Sequence, residues 1–264
     1  MINEEDKIPF TEHLDELRDR LIVCFVAAGI GFLASYGFKE KLFEILTAPL
    51  IAAMGKGDKL IFTGLPEAFF TYLKVALLSG LMLASPILLY QFWMFVAPGL
   101  YRKERRILIP IVFLSSVFFV GGSLFGYFIV FPFGFKFFLG FSSDTIQALP
   151  SMKEYLGFAS KLLLAFGLVF ELPLVLTFLA RLGVVSVDFL KKNRKYALLL
   201  FFVGAAILTP PDVVTQIMMA FPLMLLYEVS ILGARVFGKK ESQEDEEDNK
   251  EEEMEKEDTD ADAV

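Results

Sequence analysis

One carboxylate, Glu171, lies in the most apolar stretch of this 264-residue chain, with hydrophobic residues on both sides of it in 162–176. An ionisable group at bilayer depth costs about 2.5 to 3.5 kcal/mol on insertion scales and usually faces a bundle interior or a wet cavity. Pro173, two residues later, removes the helix hydrogen bond to the carbonyl of Val169. Together these residues predict a polar site inside a membrane protein.

Two further clusters place charged side chains just outside apolar runs. Leucines recur every three to four residues in 14–21, which predicts an amphipathic helix with Glu12 and Glu16 on one side of its wet face. After the second apolar run, Glu104 is the one acid among four bases in 102–106. Binding of a charged ligand is one interpretation of these clusters, and ordinary juxtamembrane charge with local ion pairs is the other.

Signatures of common enzyme mechanisms are missing from the sequence. It has no HExxH, no G-x-S-x-G and no P-loop, and its one histidine, His13, lies outside the apolar runs. The lone Cys24 forms neither an intramolecular disulfide nor a cysteine-based metal cluster. We expect no catalytic activity, no cofactor and no metal, and any transport work must come from an ion gradient or from binding and assembly.

The elements that position these residues follow from composition. With 55% hydrophobic residues and a mean hydropathy of +0.58, the chain is expected to be a polytopic membrane protein. Its net charge of -7 comes from the end of the chain, because 241–264 holds 14 acids and two bases. We therefore divide the chain into a leader, 1–20, a membrane domain, 21–238, and a disordered acidic tail, 239–264.

The apolar runs predict an all-α integral membrane fold with six transmembrane helices. They lie at 21–38, 69–96, 107–131, 156–180, 196–208 and 213–234. A helix needs about 20 residues to cross the hydrocarbon core, and the fifth run would reach only about 20 Å. We expect two short C-terminal spans joined by a hairpin at Thr209, Pro210, Pro211 and Asp212, with a re-entrant hairpin as the alternative.

Loop charges predict the orientation. Fifteen lysines and arginines lie in 7–20, 102–106, 181–195 and 235–240, against six in 39–59 and 136–153. By the positive-inside rule, both termini are cytoplasmic. In the first outer loop, 39–68, five apolar residues suggest an amphipathic helix at the outer surface. They are Phe43, Ile45, Leu46, Leu50 and Ile51.

Four groups of residues stand in a fixed order and form long motifs. They are His13-x-x-Glu16-x-Arg18, then Ser85-Pro86 with Tyr90-Gln91-x-Trp93-x-Phe95-x-x-Pro98-x-x-Tyr101 and Glu104, then Ala165-x-x-x-x-Phe170-Glu171-x-Pro173, then Thr209-Pro210-Pro211-Asp212 with Gln216. This combination, within about 8–238, resembles the TatC family, the multispanning receptor subunit of the twin-arginine protein translocase.

The resemblance implies a curved, concave bundle that recognises twin-arginine signal peptides at the cytoplasmic face. It also implies a multimeric complex with single-span TatA- and TatB-type subunits in membrane lipid, and export of folded proteins driven by the proton-motive force. The start of the chain does not resemble a transit peptide, which favours a bacterial inner membrane. We expect no nucleic-acid partner.

The resemblance also assigns roles to residues. Glu16 and Glu104 stand at the family positions for the arginine contact, and a carboxylate matches the guanidinium fork bidentately. Phe95, Pro98 and Tyr101 would shape the loop, and Arg18 with Arg20 would orient the carboxylates. Pro210, Pro211 and Asp212 would form a periplasmic hairpin.

Glu171 corresponds to the family's intramembrane glutamate. With Gln216 and Pro173 it would form a polar depression that contacts a single-span partner. The alternative is that Glu171 is hydrogen-bonded inside the bundle, to Gln216 or a backbone group, for packing alone. Two other function classes stay open at this point, a secondary transporter that uses Glu171 as a proton-coupled carboxylate and an inert membrane scaffold.

Overall fold

The computed structural model describes residues 10–54, 59–96, 108–143, 148–208 and 213–238. These ranges are helical apart from short connections and one isolated parallel bridge between Ile61 and Ser151. The helices are α1 (Phe10–Tyr36), α2 (Lys39–Ala53), α3 (Glu67–Val96), α4 (Leu108–Phe125), α5 (Phe131–Leu139), α6 (Met152–Val169), α7 (Leu172–Arg181), α8 (Val187–Lys192), α9 (Arg194–Leu208) and α10 (Val213–Phe237), with a π-helical turn, Gly126–Val130, between α4 and α5.

Four helical segments in the described ranges are long and apolar enough to cross a bilayer. They are Glu67–Val96, Ile109–Leu139, Met152–Arg181 and Thr215–Phe237. Helices α1 and α2 would make a fifth span if taken as one, although they are bent by 87° at their junction. Helix α9 has 15 residues, fewer than the roughly 20 that a span requires. The chain is an all-helical, multi-pass membrane protein.

Antiparallel packing brings specific helix ends together. The start of α1 contacts the end of α3, where Arg20 donates a hydrogen bond to Gln91, and the end of α3 contacts α4 and α7 through Trp93. The start of α9 meets the later half of α10 in an ion pair between Arg194 and Glu228, 2.8 Å apart. All these contacts lie at one end of the bundle, which we call the amino-terminal end. The other end holds α2 and the start of α6, and we call it the opposite end.

Small residues allow the helices of two pairs to approach closely. A Cβ placed on Gly31 of α1 would lie 2.4 Å from the carbonyl oxygen of Gly80 on α3. Between α4 and α6, a Cβ on Gly122 would lie 2.5 Å from the carbonyl oxygen of Phe166. Small side chains are typical of membrane helix interfaces because dispersion contacts between close backbones replace the hydrophobic effect as the driving force. These two crossings therefore require glycine.

Proline leaves carbonyl groups without their usual helical donor, and side chains supply a replacement at two of them. Pro86 has no N–H for the carbonyl of Met82, and the hydroxyl of Ser85 donates to that oxygen at 2.8 Å. Likewise Pro49 in α2 frees the carbonyl of Ile45, which accepts from the Tyr127 hydroxyl at 2.5 Å. Each helix therefore continues through its proline.

Helix α2 confirms that 39–68 contains a helix, but this helix is part of the core as well as a surface element. Leu46 and Leu50 are buried, whereas Ile45 and Ile51 are about half exposed. The Tyr155 hydroxyl of α6 donates to the Leu46 carbonyl. This bond and the one from Tyr127 connect α2 to α6 and to the π-helical turn.

At the opposite end, the carboxylate of Glu67 connects the segment before α3 to the segment before α6. Glu67, 8% exposed, accepts hydrogen bonds from the backbone N–H groups of Thr63, Gly64 and Lys153 and from the hydroxyls of Thr63 and Ser151, at 2.7 to 3.3 Å. The bridge between Ile61 and Ser151 lies beside it. Glu67 therefore links the start of α3 to the start of α6.

Candidate functional site

Glu171 lies at a break between two helices. Helix α6 ends at Val169 and α7 begins at Leu172, with Pro173 as its second residue. The Glu171 N–H donates to the carbonyl of Leu168, three residues back, at 3.1 Å, so the chain tightens at this point. A proline in the first turn of a helix costs little, because that N–H would be unpaired in any case. Pro173 accounts for the position of the break, whereas the sequence predicted a single span over 156–180.

The side chain of Glu171 accepts a hydrogen bond from another helix. The Ser115 hydroxyl on α4 donates to Glu171 Oε2 at 2.5 Å, and the Trp93 indole N–H on α3 donates to Ser115 Oγ at 3.0 Å. Because a hydroxyl can donate once while it accepts, one serine bonds both neighbours. We call this the Trp93–Ser115–Glu171 chain, and it joins α3, α4 and the α6–α7 break.

This hydrogen-bonded chain is almost completely enclosed by protein. Trp93 is 1%, Ser115 0% and Glu171 7% exposed. The ring of Phe178 on α7 packs edge-on against the indole, with centroids 5.0 Å apart. Within the part of the chain that the structure describes, Glu171 Oε1 is buried without a hydrogen-bond partner. The carboxyl group is therefore half satisfied, and one oxygen retains the capacity to accept.

An apolar groove of about 590 Å³ lies beside the break. Phe170 and Pro173, the neighbours of Glu171 in sequence, line it together with side chains of α4 and α10 such as Phe125, Leu226 and Val229. The groove reaches the residues around Glu171, whereas the carboxyl group itself is turned into the bundle towards Ser115.

Gln216 has a different partner from the one considered in the sequence. Its Nε2 donates to the carbonyl of Phe202 at 2.9 Å and so ties α10 to α9. The observed partner of Glu171 is Ser115, not Gln216 or a backbone group. The structure thus shows two separate polar contacts between helices where the sequence suggested one polar depression.

At the amino-terminal end, Glu16 is held by an arginine of its own helix. Arg20 donates from Nε to Glu16 Oε1 at 3.0 Å and from Nη2 to the same oxygen, and its Nη1 donates to Gln91 Oε1 at 3.2 Å. The Arg20 and Glu16 side chains are 18% and 28% exposed. Phe95 lies one helical turn beyond Gln91 on α3 and is partly buried. This arrangement connects α1 to the last turns of α3.

Arg18 does not take part in this contact. Its guanidinium lies 3.2 Å from Asp15 and 2.9 Å from Asp19, and these side chains are 64 to 69% exposed. Two arginines were expected to orient Glu16. The structure places Arg20 against Glu16, whereas Arg18 contacts two exposed aspartates.

Several predicted site residues lie outside the described residues. They are Pro98, Tyr101 and Glu104, between α3 and α4, and Pro210, Pro211 and Asp212, between α9 and α10. Among the described residues, no group of three or more histidine, cysteine, aspartate or glutamate side chains could hold a metal ion.

Sequence reasoning did not assign a role to Ser115 or to Trp93. Trp93 is the sole tryptophan of the chain, and Ser115 belongs to a Ser115-Ser116 pair inside an apolar run. The serine pair marks a polar position inside an apolar run, but nothing in the sequence identifies Glu171 as the partner of Ser115, since a serine there can also bond its own helix, as Ser116 does with Val112.

Comparison with known proteins agrees with this fold. The sequence model of the family described as Sec-independent protein translocase protein (TatC) matches residues 12–222. A Sec-independent protein translocase protein TatC of Desulforapulum autotrophicum is 74% identical over 93% of this chain and 91% of its own length, and that of Escherichia coli (strain K12) is 37% identical over 91% and 94%. A crystal structure described as that of the twin arginine translocase receptor TatC superposes with a TM-score of 0.76 at 42% identity, covering 85% of this chain and 99% of that one. The chain belongs to the TatC family of Sec-independent protein translocase proteins.

Proposed function

We propose that this chain captures twin-arginine signal peptides at the cytoplasmic face of a bacterial inner membrane. The observation that most directly supports the proposal is the Arg20 bridge, which joins Glu16 on α1 to Gln91 on α3. The segment 97–107, which carries Glu104, begins six residues after Gln91. Glu16 and the end of α3 that leads into this segment therefore lie at the same end of the bundle.

The chemistry of the proposed ligand fits this end. A twin-arginine motif presents two planar guanidinium groups that stay charged, and carboxylates accept two parallel hydrogen bonds from such a group. Glu16 is partly withdrawn from water, with its side chain 28% exposed. Reduced exposure strengthens a charge-assisted hydrogen bond because water screens it less. Phe95, Pro98 and Tyr101 would contact the apolar residues of the peptide.

Photocrosslinking of a purified twin-arginine precursor to the chain in membranes tests this proposal. Probes would stand in the leader and in 97–106, and the twin-lysine precursor would be compared. We expect strong crosslinks that the twin-lysine change abolishes. Glu16→Ala and Glu104→Ala should each weaken capture by about 1 kcal/mol or more, the order of a charge-assisted hydrogen bond.

Asp15→Ala is the matched control, because Asp15 is the neighbouring acid on α1 but pairs with the exposed Arg18. It should leave capture within about twofold of wild type, since exposed ion pairs contribute little. Crosslinks indifferent to the arginines, or an equal loss with Asp15→Ala and Glu16→Ala, would contradict the receptor proposal.

For Glu171 we propose a role after capture, in contact with a single-span TatA- or TatB-type subunit. The adjoining groove supports this role because it would place a partner helix beside the α6–α7 break. The unpartnered Oε1 would accept from a polar group of that helix once the carboxyl group turns from Ser115 towards the groove. Pro173, which lines the groove, would contribute to the same surface, whereas Gln216 is hydrogen-bonded to Phe202 and belongs to a separate contact. Glu171→Ala should retain signal-peptide binding while partner crosslinking and export decline, and normal export in that variant would refute the role.

The proposal also includes the topology, with six spans and both termini cytoplasmic. The chain exports folded proteins together with TatA- and TatB-type subunits, and the proton-motive force drives this export. In a variant without Cys24, single cysteines at Ser142 and Val184, both exposed, separate the two faces. A membrane-impermeant maleimide should label the first in intact cells and the second only after permeabilisation. The reverse pattern would overturn the assigned orientation.

A further inference from the structure

The acceptor proposed for the signal peptide already holds a guanidinium of this chain. Arg20 gives two hydrogen bonds to Glu16, from Nε and from Nη2, and both go to Oε1. A third hydrogen bond, at 3.2 Å, fixes Arg20 to Gln91. The ligand-free site is therefore filled by a group with the chemistry of its ligand.

The Arg20–Glu16 pair differs from its neighbours in exposure. Its side chains are 18% and 28% exposed, against 64% and 69% for the Arg18–Asp15 pair on the same turn of α1. Exposed pairs are screened and exchange readily, whereas a partly buried pair contributes more to stability. Occupation of Glu16 by Arg20 consequently raises the free energy needed to bring another guanidinium to the same carboxylate.

We infer that Arg20 is an internal competitor for Glu16, so that signal-peptide capture is an exchange of one guanidinium for another. The inference rests on the proposed function. During the exchange Arg20 leaves Glu16, while Gln91 remains an acceptor for its Nη1 and holds the displaced side chain on α3. The peptide arginine then forms the paired hydrogen bonds that Arg20 gave up.

Competition lowers the affinity for every ligand of Glu16 by the same factor. A twin-arginine peptide, which can form paired bonds, still binds after this loss, whereas a twin-lysine peptide offers a compact ammonium without the planar fork. Arg20 therefore sets a threshold that a strong ligand passes and a weak one does not. The opposite role, in which Arg20 orients Glu16 to assist the ligand, predicts a change of opposite sign when Arg20 is replaced.

Equilibrium binding of fluorescent twin-arginine and twin-lysine signal peptides to the purified full-length chain in detergent tests the inference. Arg20→Gln should raise the affinity for both peptides by about 3- to 10-fold, the range expected for releasing a partly buried ion pair. Arg18→Gln removes the same charge from the same helix turn and should change affinity by less than about twofold. In a Glu16→Ala background, Arg20→Gln should give no gain, because the contested carboxylate is gone.

Arg20→Lys covers the case in which Arg20→Gln fails to fold. It keeps the positive charge but loses the fork, and should raise twin-arginine affinity by about two- to threefold. A lower or unchanged affinity in the folded Arg20 variants overturns the inference, as does an equal gain with Arg18→Gln. If the wild-type chain does not prefer the twin-arginine peptide at all, the proposed function itself fails, so the two failures are distinguishable.

Discussion

Replacing Ser115 by alanine removes both hydrogen bonds of the Trp93–Ser115–Glu171 chain and leaves the two larger side chains in place. The Trp93 indole N–H loses its acceptor, and the Glu171 carboxyl, whose Oε1 has no partner among the described residues, loses the donor to Oε2. All three side chains are buried, so water does not take over these bonds without entering the bundle.

The expected cost follows from two measured scales. A buried polar group left without its partner costs about 1 to 3 kcal/mol in proteins generally. Hydrogen bonds between membrane helices are smaller, about 0.6 kcal/mol on average and about 1.7 at most, because the unfolded state in the membrane also finds partners. Two such bonds are lost here, so Ser115→Ala should lower the free energy of unfolding by about 1 to 3 kcal/mol.

Trp93 supplies the assay. It is the only tryptophan of the chain, so its emission during unfolding in mixed detergent micelles reports on this site directly. Ser116→Ala is the matched control, because the Ser116 hydroxyl donates only to the Val112 carbonyl of its own helix, at 2.9 Å. That change should cost less than about 0.5 kcal/mol.

Equal stabilities of the Ser115→Ala and Ser116→Ala variants would refute the reasoning. A double-mutant cycle sharpens the comparison. In a Glu171→Met background, Ser115→Ala should cost only the indole bond, about half of the original effect, whereas strictly additive losses would mean that Ser115 and Glu171 are not coupled.

Two further predictions concern helix packing and the opposite end. Gly31→Val brings a side chain against the Gly80 carbonyl and should lower stability in detergent by about 1 to 3 kcal/mol, while Gly29→Val, which meets nothing within 4 Å, should change it little; comparable melting temperatures would contradict this. Glu67→Gln replaces one of two acceptor oxygens by a donor and should speed hydrogen exchange in 61–67 and 151–155, unlike the exposed Glu154→Gln; unchanged exchange would argue against Glu67 as the link.

Hydropathy predicted a span correctly where the span is one continuous α-helix. It did less well where the helical geometry of the chain changes. The run 69–96 matches α3, Glu67–Val96, within two residues. The run 107–131 ended too early, because the helical segment continues past Pro132 to Leu139 through a π-helical turn. Hydropathy does not detect the change of hydrogen-bond register that lets the chain pass this proline. The short helix α8 was also missed, since six residues are too few for a periodic pattern.

The candidate site was likewise predicted only in part from the sequence. A charge in an apolar run marks Glu171 as special without any structure. Pro173 predicted a lost helix hydrogen bond at this point, although 156–180 was predicted as one span and not as two helices. The partners were not predictable, because Ser115 lies 56 residues from Glu171 and 22 from Trp93. Which helices are neighbours, and with what rotation, depends on packing between distant segments. The same limit applies to Gln91, whose contact with Arg20 joins residues 71 apart.

The carboxylate of Glu67 also bears on how the chain is made. Its donors at Thr63 and Gly64 are synthesised just before it, whereas Ser151 follows it by 84 residues and Lys153 by 86. Since the chain is synthesised from its N-terminus, this carboxylate remains incompletely paired until the start of α6 has been made. Biogenesis thus has a built-in order, in which closure of the opposite end waits for the synthesis of α6.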